Sequence, residues 1–232
     1  MDINIVPGVR QGMFFDLEKT ITADAVEQVA SVAMWRAGNV STAQVMRVLW
    51  CYLRYNLGLI DGFEALKAEG AQVFAGRRAE EDAALLHTLY AERLRGAIYP
   101  RARALIEAGH EGGLHVAIIS STYRFMVEPF AKELGINDFF GCELEEDGGV
   151  CTGRLRGAIY HQHKKAECVK ALSEEHGLSL EHSYAFCDSV NDIPMLEAVG
   201  HGVVINPGAK LLKRAKEQQW AVETWSREPV HG

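Results

Sequence analysis

The feature that most constrains the fold is a short apolar run that ends in a carboxylate, Gly12-Met-Phe-Phe-Asp16, with Glu18 and Thr20 just beyond it. An apolar run of strand-forming residues predicts a buried strand. In an open parallel sheet, ligands bind beyond the carboxyl ends of the strands. We therefore expect Asp16 to lie at a ligand-binding edge, although a strand followed by an ordinary acidic turn has the same local pattern.

Later segments repeat this pattern of a strand that ends in a polar residue. Residues 114–119 form an apolar run that stops at Ser120, residues 184–187 end in Asp188, and residues 202–205 form another run. Between these runs, apolar residues recur with helical spacing. Residues 139–155 resemble a strand and hairpin around Gly148. Strands that alternate with helices predict an α/β fold with a doubly wound parallel sheet.

Between the first strand and this region lies a long stretch with helical spacing only. From residue 21 to 97, apolar residues recur every three or four positions in four successive helices, with breaks at Gly58 and at Asp61-Gly62. We therefore expect an all-helical insert over residues 21–97 and an α/β core made of residues 1–20 and 98–232. We call residues 21–97 the helical insert and the remaining residues the core.

Composition and net charge limit the classes of protein to which the chain can belong. The chain has 232 residues, a net charge of −7 and 48% hydrophobic residues, as in globular proteins. An acidic balance argues against nucleic acid as a partner, because phosphate backbones are bound by excess Lys and Arg. Five cysteines without a CxxC pair predict reduced thiols in a cytoplasmic protein. Neither a signal peptide nor a transmembrane segment is expected.

Several polar side chains are expected to converge at one edge of the sheet. Asp16, Ser120 and Asp188 end separate strands, and Lys165 begins a helix. Two further acids, Glu18 and Asp192, are close to them in sequence. Carboxylates bind Mg²⁺, while a lysine and a hydroxyl bind phosphate oxygens, so the set suits a magnesium ion and a phosphate.

These residues resemble the motifs of the haloacid dehalogenase-like superfamily, in its phosphoserine phosphatase-like branch with a helical cap. Asp16-Leu-Glu-Lys-Thr20 is similar to the first motif, Asp-x-Asp-x-Thr, and Ile118-Ile-Ser120 to the second. Lys165 fits the lysine of the third motif. The run Cys187-Asp-Ser-Val-Asn-Asp192 resembles the fourth, which usually begins with Gly.

The resemblance implies a Mg²⁺-dependent phosphomonoester hydrolase in which Asp16 forms an aspartyl-phosphate. It implies phosphate binding by Ser120 and Lys165, with Thr20 and Ser121 in the same two motifs. Arg124, just beyond the second-motif strand, is expected near the mouth of the site and is a further candidate for binding substrate. The resemblance also implies a metal site made of Asp16, Asp188, the backbone carbonyl of Glu18, and Asp192 as a ligand or close neighbour. The carboxyl group at position 18 would protonate the leaving oxygen and later activate water.

Position 18 departs from the family pattern, because Glu replaces the usual Asp. The extra methylene moves the carboxyl group by about 1 Å, a displacement that can cost on the order of a hundredfold in rate. Three interpretations follow. The site is reshaped for the longer side chain, or the enzyme transfers phosphate to an alcohol acceptor, or hydrolysis is slow and the protein mainly binds phosphate.

The helical insert is expected to recognise a small phosphorylated substrate. Its Asp24 only approximates the glutamate that binds the amino acid in phosphoserine phosphatases, and Lys67 and Gly70 occupy the region of the expected arginine, so phosphoserine is in doubt. Apolar residues around Trp50 cover more than one helix face. Core packing explains such residues most often, and a bulky apolar substrate, a homodimer contact and a membrane surface are alternatives.

Overall fold

A computed structural model describes residues 3–59 and 62–227. Within them, seven strands form one sheet in the order β4-β3-β2-β1-β5-β6-β7. The strands are β1 (Gly12–Phe15), β2 (His115–Tyr123), β3 (Asp138–Asp147), β4 (Val150–Arg156), β5 (Tyr184–Cys187), β6 (His201–Ile205) and β7 (Ala221–Glu223). All neighbours pair in parallel except β3 and β4, which form an antiparallel hairpin at one edge. The predicted α/β fold is confirmed.

Helices cover both faces of this sheet. The core helices are α5 (Pro100–Glu111), α6 (Arg124–Glu133), α7 (His163–His176), α8 (Ile193–Glu197) and α9 (Ala209–Gln218). Successive residues of a strand point to opposite faces. Phe15 accordingly packs with Ile106 and Phe130 on one face, and Phe14 packs with Val169 on the other. Two apolar faces, each covered by helices, are the physical basis of the doubly wound arrangement.

The structure differs from the sequence-based strands in two places. Strand β2 continues to Tyr123, whereas the apolar run predicts its end before Ser120. Its pairing with β3 shifts register between Ile119 and Tyr123, so the polar residues there extend the strand through an irregularity. Strand β7 was not expected, because a three-residue edge strand carries almost no periodic signal.

The helical insert contains α1 (Val26–Arg36), α2 (Thr42–Asn56), α3 (Phe63–Ala71), α4 (Ala79–Leu89) and a π-helical turn (Tyr90–Leu94). Its two connections to the core are hydrogen-bonded to each other. The N–H of Ala23 donates to the carbonyl of Ala97, and the N–H of Tyr99 donates to the carbonyl of Ile21, both at 2.9 Å. A helix break was expected at Asp61-Gly62, and Asp61 lies outside the described residues.

Aromatic side chains hold the insert on the core. Phe74 contacts Tyr123 and Phe125 edge to face, with centroids 5.3 and 5.6 Å apart, and Tyr90 contacts Phe130 at 5.0 Å. Helix α2 is different, because none of its described side chains is buried. Across the described part of the chain, no helix has both the length and the hydropathy to cross a bilayer.

Candidate active site

The turn after β1 carries the first acid of the site. The N–H of Asp16 donates to the carbonyl of Phe186 at 3.0 Å, which holds the turn against β5. Lys19 adopts a left-handed backbone conformation, with φ of 57°, and the N–H of Ile21 closes the turn on the carbonyl of Leu17 at 2.9 Å. Asp16 is therefore buried at the carboxyl edge of the sheet.

A buried lysine joins two acids of the predicted site. Lys165, in the first turn of α7, places Nζ 2.7 Å from an oxygen of Asp16 and 2.7 Å from an oxygen of Asp192. Burial lowers the pKa of Lys165, but the two carboxylates outweigh burial and leave the pKa above its ordinary value. The lysine is therefore a fixed positive charge between the two acids.

Asp188 completes a group of three carboxylates. It follows β5 directly, and one oxygen each of Asp16, Asp188 and Asp192 lies within 4.8 Å of the others. Burial is the main cause that raises the pKa of Asp16 to about 6 and that of Asp188 to about 7, and repulsion between the carboxylates adds to it. Three acids share one lysine here, so a bound cation would neutralise the excess negative charge.

The donor atoms of this group fit a magnesium ion. Mg²⁺ prefers oxygen ligands and usually keeps several waters and a substrate phosphate oxygen in its coordination shell. The Oγ1 of Thr20 is buried beyond the end of β1 without a hydrogen-bond partner, although buried hydroxyls are normally satisfied. A phosphate or a water at this edge would satisfy it. The residues thus fit the metal and the phosphate that the resemblance implies.

The carboxyl group of Glu18 is bonded to the helical insert and is not one of the three clustered acids. Its Oε1 accepts a hydrogen bond from the N–H of Glu27, in the first turn of α1, at 2.9 Å. Burial is the largest cause that raises the pKa of Glu18 to about 7, and the charge of Glu27 adds to it. A carboxyl group with a pKa near 7 is suited to both donating and accepting a proton at neutral pH.

The predicted serines lie on β2 beside the turn after β1. Ile118 is paired with Phe15, so the next residues of β2 run alongside that turn. Ser120 is buried, and its Oγ accepts a hydrogen bond from the N–H of Thr122 at 3.2 Å. Ser121 is partly exposed. Both serines are therefore near the clustered acids along the sheet.

Arg124 makes its contacts with strand β3. Its Nη1 donates to the carbonyl of Phe139 at 2.7 Å, and its guanidinium carbon lies 4.1 Å from the centroid of the Phe139 ring. Its Nε is 3.6 Å from a carboxylate oxygen of Glu143. Both partners belong to β3, so Arg124 would have to leave these contacts to bind a substrate.

Sequence reasoning did not find an ion pair inside the helical insert. Lys67 on α3 pairs with Glu27 on α1, and only 5% of the lysine side chain is exposed. Its Nζ also lies 4.5 Å from the centroid of the Tyr123 ring in the core. Because the N–H of Glu27 donates to Glu18, this pair is linked to the proposed proton-transfer group. Its partners are 40 residues apart, and no local pattern predicts such a contact.

A ring stack joins the insert and the core near Lys165. The rings of Phe63, at the start of α3, and His161, just before α7, are stacked with centroids 3.9 Å apart and planes 13° apart. Burial is the main cause that lowers the pKa of His161 to about 4, and the charge of Lys165 contributes to this decrease. The imidazole is therefore neutral at pH 7.

The order and spacing of these residues match a known family model. Residues 13–197 match the model of the haloacid dehalogenase-like hydrolases, which covers more than half of the chain and includes all the clustered acids. The chain belongs to the haloacid dehalogenase-like hydrolases. The family predicted from the four motifs is therefore confirmed.

Relatives within this hydrolase family include named phosphatases. A probable phosphatase of Mycobacterium tuberculosis is 28% identical over 223 residues, which cover 95% of this chain and 77% of that protein. A phosphoserine phosphatase of the same species is 36% identical over 147 residues, which cover 63% of this chain and 48% of that protein, so the match spans about half of its length. A protein of unknown function from Bordetella pertussis has a solved structure with a TM-score of 0.83 at 25% identity, covering 92% of this chain and 98% of that one. The chain is thus a phosphatase-class enzyme of this hydrolase family.

Proposed function

We propose that the chain is a Mg²⁺-dependent phosphomonoester hydrolase that acts on a small phosphorylated metabolite through an aspartyl-phosphate on Asp16. The observation that carries the proposal is the buried bridge of Lys165 between Asp16 and Asp192, with Asp188 beside it. A carboxylate nucleophile, a fixed positive charge and oxygen ligands lie at one edge of the sheet. These groups together suit phosphoryl transfer, because its transition state carries negative charge on the phosphoryl oxygens that nearby positive charge stabilises.

In the first proposed step, a carboxylate oxygen of Asp16 attacks phosphorus. The new O–P bond forms while the bond from phosphorus to the substrate alcohol oxygen breaks, and the alcohol leaves with a proton. In the second step, water attacks the aspartyl-phosphate, phosphate leaves, and the carboxylate of Asp16 is restored. Two easier displacements replace one difficult displacement. Ser120 and Lys165 would hold phosphoryl oxygens, and Thr20 and Ser121 lie near the same edge.

Asp16, Asp188 and Asp192 would hold the magnesium ion, together with the backbone carbonyl of Glu18. When bound, the ion supplies positive charge that neutralises the phosphoryl oxygens. Lys165 would orient two of the acids, since its Nζ lies 2.7 Å from an oxygen of Asp16 and 2.7 Å from an oxygen of Asp192. Removing Mg²⁺ with a chelator should therefore abolish turnover while the lysine bridge keeps the acids in place.

Glu18 would donate the proton to the leaving oxygen and later accept one from the attacking water. Its pKa of about 7 suits both steps. The bond from the N–H of Glu27 shows where the extra methylene of Glu18 reaches, namely the first turn of α1. That hydrogen bond also occupies one carboxylate oxygen of Glu18, which would hinder its proton transfer with water. Two alternative functions are therefore phosphoryl transfer to an alcohol acceptor and phosphate binding with weak turnover.

The insert favours a substrate whose remainder is uncharged or apolar. Lys67 is already neutralised by Glu27, and the rings of Phe63 and Tyr123 lie within 6 Å of its Nζ. An amino acid substrate would need a cation for its carboxylate, and Lys67 could serve only after losing its partner. We therefore expect the enzyme to prefer phosphorylated substrates with aromatic or aliphatic groups over phosphoserine.

The test is phosphate release from a panel of phosphorylated amino acids, sugars, nucleotides and lipid head groups, with Mg²⁺ and with EDTA. Rapid quenching with a chromogenic phosphate ester should show a burst of alcohol and an acid-stable phosphoprotein. The phosphoprotein should be absent in Asp16→Asn and present in Asp147→Asn, an exposed aspartate at the hairpin that serves as the matched control. Phosphate release by Asp16→Asn would contradict the nucleophile assignment.

The same experiment separates the alternatives for Glu18. An added alcohol that increases total turnover without increasing free phosphate would identify a phosphotransferase. Tight phosphate and Mg²⁺ binding without a burst would identify a binding protein. Release by Glu18→Asp but not by the natural chain would show that Glu18 suppresses hydrolysis.

We further propose that residues 21–97 act as a cap over the site and that α2 forms a homodimer contact. Eight large apolar side chains in and around α2 are between 45% and 63% exposed: Trp35, Met46, Leu49, Trp50, Tyr52, Leu53, Leu57 and Leu59. Aromatic side chains offer ~150–250 Å² each and aliphatic ones somewhat less, so at about half exposure the eight side chains together present on the order of 800 Å². That is about the area each partner buries in a stable complex.

The five free cysteines support the proposal of a reducing, cytoplasmic location.

A further inference from the structure

A second group of potential metal ligands lies at the edge of the sheet opposite the candidate active site. His115 is the first residue of β2, Asp138 is the first residue of β3, and His176 is the last residue of α7. The parallel strands begin at this edge and end near Asp16. The proposed hydrolysis uses none of the three residues, so their convergence needs a separate explanation.

The three side chains aim their polar atoms at a common region. The Nε2 of His115 lies 3.2 Å from Oδ2 of Asp138, and the Nε2 of His176 lies 3.7 Å from the same oxygen. One ligand atom of each residue lies within 4.8 Å of the others. Ligand atoms around a tetrahedral zinc ion, at about 2.0–2.1 Å from the metal, are about 3.3 Å apart. The two nitrogen–oxygen separations, 3.2 and 3.7 Å, are close to that value.

These short separations are not hydrogen bonds. The Nε2 atoms of His115 and His176 are both buried and have no hydrogen-bond partner. Buried ring nitrogens normally find a partner, because leaving one unsatisfied is unfavourable. Nitrogens that approach a carboxylate oxygen closely without bonding to it have the arrangement of ligands around a shared ion.

We propose that His115, Asp138 and His176 form a binding site for a divalent transition-metal ion, best fitted by zinc. Imidazole nitrogens are borderline ligands that favour Zn²⁺ and its neighbours, and zinc also accepts a carboxylate oxygen beside two imidazoles, whereas Mg²⁺ prefers oxygen ligands alone. Three protein ligands leave a fourth position for water. The ion would join the starts of β2 and β3 to the end of α7.

Metal binding requires one adjustment of the side chains. The two imidazole rings are stacked, with centroids 4.0 Å apart and planes 29° apart, so one ring must turn before both nitrogen lone pairs meet at one ion. The His115 and His176 side chains are 18% and 27% exposed. Both rings therefore border solvent, and a rotation does not require repacking of the sheet.

The experiment uses the full chain saturated with Mg²⁺, so that the acidic site at the other edge is occupied. Co²⁺ is titrated as a visible probe, because tetrahedral Co²⁺ absorbs visible light, and Zn²⁺ is then added to displace it. His176→Ala removes one ligand, and Asp138→Asn removes the carboxylate charge at constant size. His201→Ala, at the start of β6 and outside the cluster, is the matched control.

We expect one equivalent of Co²⁺ to bind the natural chain in excess Mg²⁺ and to be displaced by Zn²⁺. His176→Ala and Asp138→Asn should weaken Zn²⁺ binding at least about tenfold, while His201→Ala should leave it unchanged. Zn²⁺ should also raise the melting temperature of the natural chain but not of Asp138→Asn, because an ion that binds only the folded state stabilises it.

Two results would overturn the site. One is the absence of a Co²⁺ absorption band in the natural chain. The other is equal Zn²⁺ affinity of the natural chain and Asp138→Asn, provided that both melt at similar temperatures without metal. Circular dichroism of the metal-free variants checks their folding independently of phosphatase activity, so failure of the proposed hydrolysis would not obscure either result.

Discussion

Strand β1 and helix α2 are both rich in large apolar side chains, but those of β1 are buried and many of those of α2 are exposed. Phe14 and Phe15 are completely buried between helices, whereas Trp50 on α2 is 60% exposed. The strand is covered because it lies inside the sheet and helices pack on both of its faces. At the start of helix α2, Ser41 and Gln44 form a capping box, and Arg47 pairs with Glu69 of α3, while none of the helix's described side chains is buried. The same residue types thus build the core in one region and present a contact surface in the other.

The largest effect on activity should come from a substitution at the end of β1, where the buried Asp16 is the proposed nucleophile. Asp16→Asn removes the proposed nucleophile but keeps its size, so phosphate release should fall at least about a thousandfold, equivalent to ~4 kcal/mol in the barrier. Lys165 retains its contact with Asp192, so the melting temperature should change little. Steady-state kinetics and thermal unfolding together test this separation of activity from stability.

Replacing a core aromatic ring should affect stability most. Phe186 on β5 is fully buried and stacks on Phe15 with ring centroids 4.2 Å apart. Phe186→Ala should lower the free energy of unfolding by about 3–5 kcal/mol, because the cavity adds to the lost burial. Urea denaturation measures this loss. A loss below about 1 kcal/mol would mean that the sheet core repacks freely and would weaken the contrast with α2.

Acid should weaken the ring stack between the insert and the core. His161 has a folded pKa of about 4, below its ordinary value of 6.5, so the folded state favours the neutral ring. Its contribution is fully present above pH 6.5 and is lost as the pH falls toward 4. The natural chain should therefore lose roughly 1–2 kcal/mol more than His161→Phe between pH 8 and pH 5. Urea denaturation at both pH values tests this, and equal losses would exclude His161 as the titrating group.

The smallest effect on the stability of a single protomer should come from α2. Trp50→Glu changes an exposed side chain, so the free energy of unfolding of the protomer should change by no more than about 0.5 kcal/mol. The same change places a charge in the proposed dimer contact and should convert dimer to monomer. Light scattering after gel filtration measures the mass. A monomeric natural chain would contradict the homodimer and leave a membrane surface or a substrate as the explanation of the apolar face.

The motif residues were predictable because each follows a strongly patterned segment. Asp16 and Asp188 directly follow apolar strands, and Lys165 lies near the start of a helix, so parallel topology alone brings them to one edge. The anchoring of Glu18 to the N–H of Glu27 was not predictable. Neither was the pairing of Glu27 with Lys67. Both depend on how the insert is placed over the core, which leaves no periodic trace in the sequence.

By itself, the sequence determined the alternation of strands and helices, the helical insert and the family motifs, since hydrophobic periodicity and local spacing encode them. Only the tertiary structure decided which acids share Lys165, that Arg124 is engaged with β3, and that His115, Asp138 and His176 meet at the opposite edge. The physical reason is that burial and side-chain contacts are properties of neighbours in space. Residues far apart in the chain become neighbours only when the sheet and its helices have assembled.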